Sequence, residues 1–239
     1  MNNREDPFEF FSWEWLLAGE AKSLLHQVRD FAADTENLIE KHAVERWTDA
    51  LAALQKAAHE QGWDDREYEG WEQSLWEDHH NRFEIGVPKI FRYAVASLLH
   101  TAIEYGIRTI AIHEAERLKT PFRPDELRGA PLERYKLFLS RSCNIDFGTI
   151  AEWENITILQ KVRDCIVHCA GFLDQSADAK FLRSLAERDS SGISLSEEFI
   201  WEGAVLEVGP KFITDSLDSA SGLFDELIKR LSTEAAPTS

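Results

Sequence analysis

The stretch from Val87 to Leu118, VPKIFRYAVASLLHTAIEYGIRTIAIHEAERL, decides the fold. Pro88 suits a first helical turn, where a missing N–H leaves no bond unmade. Beyond it Ile90, Phe91, Ala94, Val95, Leu98, Leu99, Ala102, Ile103, Gly106, Ile107 and Ile110 recur at helical spacing. The stripe they form is too wide for a single neighbour. A helix that is apolar over so much of its circumference predicts a central element, covered on more than one side.

Working outward, the N-terminal side holds two apolar-periodic runs, Trp13 to Phe31 and Thr35 to Gln61, with Gly62 as a stop signal. Between Trp63 and His80 the composition turns acidic and carries Trp63, Trp71 and Trp76. This segment reads as a linker or as a short amphipathic helix. On the C-terminal side, three prolines make Thr120 to Pro131 a loop. Helices are expected over Leu132 to Ser142, Thr149 to Cys169 and Ala177 to Ala186, with Gly171 where a C-terminal cap belongs. Weak alternation over Ile193 to Val208 predicts a small hairpin, with Phe199 and Trp201 among its apolar positions. A last helix should run from Pro210 to Leu231. The expected architecture is all-α: a helical bundle over residues 81–232, an N-terminal helical extension over 1–80 packed on it, a small C-terminal hairpin, and a disordered tail over 233–239.

At 239 residues there is enough chain for one sizeable core. The 12 glycines and 7 prolines fall mainly between periodic runs, which favours long helices over a strand-and-turn design. A formal charge of -17, from 43 acidic and 26 basic residues, argues against an extended non-specific nucleic-acid binder. It leaves room for a small site acting on one exposed phosphodiester. Cys143, Cys165 and Cys169 are odd in number, so a disulfide framework is not expected and a reducing cytoplasm is the simpler setting. Met1 to Asp6 is polar with no basic run before an apolar one, so no secretory leader is expected. No apolar run is long enough to span a bilayer.

Chemistry concentrates in Lys161 to Gly171, KVRDCIVHCAG. A histidine titrates near working pH and can take a proton from a ribose 2′-hydroxyl. An arginine offers a planar fork of donors to a phosphate and to the charge that builds up on it. Asp164 precedes His168 by four residues, one helical turn, and can fix its tautomer. No metal or cofactor is needed for that chemistry. Arg163 and His168 lie about 140° apart on an ideal helix, so one helix makes an incomplete site. Two copies about a two-fold axis would complete it. Spacing alone is weak, since 16 arginines and 8 histidines give roughly half a match by chance. A second match does occur, Arg108 to His113, inside the broad apolar helix, and it reads as structural.

Context distinguishes the first match. Arg163-Asp164-Cys165-Ile166-Val167-His168, followed by Gly171, resembles the signature of HEPN-domain proteins: an arginine, a polar residue, a few apolar residues and a histidine near a helix end. The upstream pattern is similar to the family as well, with Glu104 inside the long helix, then Leu132 to Leu139, then Trp153 and Ile156. The resemblance covers roughly residues 83–175. It implies a helical bundle that forms a homodimer with two motifs in a shared cleft. It also implies a metal-independent endoribonuclease acting on RNA in phage defence or a toxin–antitoxin system, with a regulatory protein partner. Arg163 would contact phosphate, His168 would transfer protons and Asp164 would be the polar support. Asp164 stands where asparagine is frequent in the family.

Other candidates read as structure. Cys165, His168 and Cys169 offer only three soft ligands with no second pair at zinc-site spacing, so free thiols are expected. His79 and His80 are adjacent on a helix and point apart. No nucleophile elbow or phosphate-binding glycine loop is visible. The competing function is a non-catalytic interaction module whose acidic surface binds a basic partner. A basic rim of Lys161, Arg141 and Arg183 around His168 would favour RNA, and an acidic face would favour protein.

Overall fold

A computed structural model describes residues 13–198 and 203–234. The fold is all-α with one two-stranded sheet. Its helices are α1 (Trp13–Gln61), α2 (Asp65–His79), α3 (Val87–Arg117), α4 (Pro131–Ser142), α5 (Glu152–Cys169), α6 (Ala179–Ala186) and α7 (Pro210–Glu234). Strands β1 (Ile193–Glu198) and β2 (Gly203–Val208) pair antiparallel between α6 and α7.

Helix α3 is the central element, touching α1, α4, α5 and α7. Its buried residues, among them Leu99, Ile103, Ile107 and Ile110, face several neighbours at once. Gly106 marks the tightest approach. A Cβ there would lie 2.3 Å from Phe224 Cζ of α7 and 2.7 Å from the Ala21 carbonyl oxygen of α1. Polar contacts fasten the outer helices to this core. Arg92 of α3 donates twice to Glu36 of α1, at 2.7 and 2.8 Å, and Asn155 of α5 donates to Ser219 of α7 at 2.9 Å.

The two N-terminal runs form one helix of 49 residues rather than two. Asp34-Thr35 resembles a start signal, but Thr35 is buried inside the helix, and packing on α3 and α7 outweighs the local preference. Leu17, Ala21, Leu25 and Val28 of α1 belong to the same apolar cluster as α3 and α7. The extension therefore shares its first half with the bundle core. Its second half does not: no residue from 40 to 78 is buried. The acidic segment is helix α2, started by a reciprocal capping box between Asp64 and Glu67. A π-helical turn, His80–Gly86, leads straight from α2 into α3.

The hairpin lies where alternation places it, with Ile193 opposite Val208 and Leu195 opposite Leu206. Phe199, Trp201 and residues 235–239 of the expected tail lie outside the described residues, as do residues 1–12. The last helix continues to Glu234, past the expected start of the tail. No helix among the described residues is long and apolar enough to cross a membrane.

Candidate functional site

Helix α5 carries the motif in its last two turns, and the chain just beyond holds its end in place. Ala170, rather than Gly171, takes the first left-handed position (φ 51°), and Gly171 follows it at φ 85°. Gly171 donates to the Cys165 carbonyl at 3.1 Å and accepts from Leu206 of β2 at 2.9 Å. The Tyr93 hydroxyl of α3 donates to the Leu206 carbonyl and fills the space a Cβ at Gly171 would need. Glycine is required there for both backbone conformation and room.

Within the motif, Val162, Cys165 and Ile166 are buried and anchor α5 to the core. Arg163 and Asp164 are half-buried and bonded to each other, Nη1 to Oδ1 at 2.9 Å. His168 is exposed, in the last turn, where a cation is favoured by the helix dipole. Cys165 and Cys169 carry free thiols, and burial pushes the Cys165 thiol up to about 11. A thiol held so far above neutral pH is a packing group rather than a nucleophile.

Arg163 and Asp164 face two groups of α3. His100 is 4% exposed, and neither ring nitrogen has a hydrogen-bond partner. Glu104 Oε1 lies 3.9 Å from His100 Nδ1, too long for a hydrogen bond. Burial lowers the His100 pKa, the Arg163 charge lowers it further, and Asp164 opposes them. Burial raises the Glu104 carboxyl, while Arg163 and Arg134 pull it down and Asp164 adds to the rise. A cluster of opposed charges thus gathers where α3 crosses α5. Glu104 was visible in the sequence as part of the upstream pattern, but His100 and Arg134 gave no signal, because only the crossing of helices brings them in.

The decoy match is otherwise engaged. Arg108 donates to Asp125 at 3.3 Å, and Asp125 also accepts from the Tyr135 hydroxyl at 2.6 Å. Two of the three residues that a basic rim would draw on are neutralised: Lys161 is paired with Asp178 and Arg183 with Asp174.

A row of exposed residues, Ile90, Ala94, Leu98, Thr101 and Tyr105, runs along α3. Tyr93 meets Gly171, while His100 and Glu104 meet Arg163 and Asp164, so α3 and α5 run antiparallel. Leu98 of α3, 45% exposed, and Val167 of α5, 48% exposed and next to His168 in the chain, are large apolar side chains left uncovered. A cavity of about 640 Å³ lies elsewhere, between α1, α2 and the start of α3. Among the described residues no three His, Cys, Asp or Glu side chains gather as metal ligands would. No family model, curated protein or solved structure matches the chain.

Proposed function

We propose that the protein is a HEPN-like, metal-independent endoribonuclease of the cytoplasm that works as a homodimer. The observation that supports this most directly is the position of the motif. Arg163, Asp164 and His168 lie at the exposed end of a helix whose termination is fixed by β2 and Tyr93. The helix packed against it, α3, carries exposed Ile90, Leu98 and Tyr105, a face that two copies would bury, and a two-fold dimer formed there would bring a second motif to a shared cleft.

In that cleft Arg163 holds the phosphate and stabilises the charge that develops on it. One His168 takes the proton of the ribose 2′-hydroxyl, the 2′-oxygen bonds to phosphorus, and the P–O5′ bond breaks. His168 of the second copy returns a proton to the leaving 5′-oxygen. The products are a 2′,3′-cyclic phosphate and a 5′-hydroxyl. Such an activity suits phage defence or the toxin of a toxin–antitoxin pair.

The neutralised Lys161 and Arg183 favour a second reading, a non-catalytic module that engages protein through this face. Incubating purified protein with single-stranded RNA separates the two. Cleavage that requires Arg163 and His168 supports the first, and intact RNA supports the second.

A further inference from the structure

Residues 40–78 form an arm without a core. The second half of α1 turns at Gly62 and returns as α2, and only His79 at the base is buried. Tryptophan is the costliest side chain to leave beside water, and it is enriched where proteins meet partners. Yet the arm carries Trp47, Trp63, Trp71 and Trp76. Trp63 and Trp71 stack on each other, 5.8 Å between ring centroids. Trp47 and Trp76 do something different. Each rests on a histidine of the arm's base, Trp47 tilted against His79 and Trp76 stacked on His80. Both rings also line two adjoining cavities of about 510 and 360 Å³, which makes a single furrow along the α1–α2 seam.

The furrow's charge is of one sign. Glu69 and Glu72 stand at one end and Glu84 at the other, and no lysine or arginine lines it. Glu84 is held by His80 at 2.7 Å, while Glu69 and Glu72 have no ion-pair partner among the described residues. The flanking stretch 64–78 has seven acidic residues and one basic. A tryptophan face attracts a cation, and nearby carboxylates strengthen the attraction. The same charge repels RNA, and it repels a second copy of a chain that carries -17 overall.

We propose that this furrow is a docking site for a basic segment of another protein, which inserts a lysine or arginine side chain between Trp47 and Trp76 with its charge toward Glu69 and Glu72. The exposed Val44 at the furrow's edge accepts an apolar neighbour of that residue. Docking here is independent of the α3–α5 site and needs no cleavage activity.

The test uses the full chain and a fluorescein-labelled peptide of alternating lysine and leucine pairs, with a glutamate-and-leucine peptide as control. The lysine peptide should bind, more weakly as salt is raised, and the glutamate peptide should not. Trp47→Ala with Trp76→Ala, and separately Glu69→Gln with Glu72→Gln, should each weaken binding by about tenfold or more. Trp71→Ala, outside the furrow, should leave it unchanged. Far-UV circular dichroism should match in all variants, because none of these residues is buried. No binding of the lysine peptide overturns the proposal, as does equal binding to wild type and both double variants. Self-association that the double tryptophan variant abolishes also overturns it, since a second copy would then cover the furrow.

Discussion

The Arg163 guanidinium donates to the Asp164 carboxylate at 2.9 Å, so the group assigned to phosphate already has an anionic partner in the free protein. The pair is partly exposed, and such pairs contribute at most about 1 kcal/mol. RNA must displace Asp164 or share the guanidinium with it. Asp164→Asn should therefore tighten RNA binding by up to about fivefold. A filter-binding or anisotropy titration measures it, and weaker binding would show that the carboxylate assists.

Arg163→Ala and His168→Ala should each lower RNA cleavage by about a hundredfold or more, the loss expected for a phosphate clamp or a proton-transfer group. His168 is exposed and the Arg163–Asp164 pair is partly exposed, so thermal unfolding should stay within a few degrees of wild type. Arg108→Ala, which removes the decoy's arginine, should leave cleavage unchanged.

The apolar row on α3 gives a separate test of the dimer. Leu98→Asp and Val167→Asp place a charge on the exposed faces of α3 and α5 without disturbing a buried side chain. Analytical ultracentrifugation should show a dimer for wild type and a monomer for either variant, and cleavage should fall with the dimer. Wild type running as a monomer at all concentrations would remove the shared cleft.

His100 makes stability depend on pH in a defined direction. Its pKa in the folded protein is lowered, first by burial and then by Arg163. The unfolded chain binds the proton more readily, so this contribution is complete above the ordinary value of 6.5 and is lost as pH falls below it. Glu104, raised by burial, acts oppositely nearer the carboxylate range. His100→Leu should flatten the decline below pH 6.5. It should also add about 1 kcal/mol at neutral pH by removing two unpartnered ring nitrogens from the interior. Urea unfolding across pH reads both effects.

Gly106 has no spare room. Gly106→Ala drives a methyl group into Phe224 and the Ala21 carbonyl, and it should cost about 1 to 3 kcal/mol. In a chain of this size each kcal/mol lowers Tm by roughly 2 to 4 °C, measurable by calorimetry.

Much of this fold was legible because α3 announces itself. The stripe from Ile90 to Ile110 needs several neighbours, and the helix found, Val87–Arg117, has them. The hairpin was legible only as weak alternation, because β2 buries the neighbours Val205 and Leu206 on opposite faces. The break expected between Phe31 and Thr35 is absent because the tertiary contacts that bury Thr35 and continue the helix are not encoded locally. The capping box of Asp64 and Glu67 was present to be read, but the acidic composition around it suggested a linker equally well. At the candidate site, Arg163, Asp164 and His168 were visible through their order along one helix. His100 and Arg134 were not, because they join Glu104 and the motif only through helix crossings that no local pattern encodes.

On the proposed mechanism, Arg163 and His168 cut RNA through the ribose 2′-hydroxyl without a metal ion. It is tested most directly by incubating the purified protein in EDTA with a single-stranded RNA and with its 2′-O-methyl counterpart, and analysing product ends by mass spectrometry. Fragments ending in a 2′,3′-cyclic phosphate are expected from the RNA alone, absent with Arg163→Ala or His168→Ala. RNA left intact by the wild-type protein, or cut equally by both variants, would contradict it.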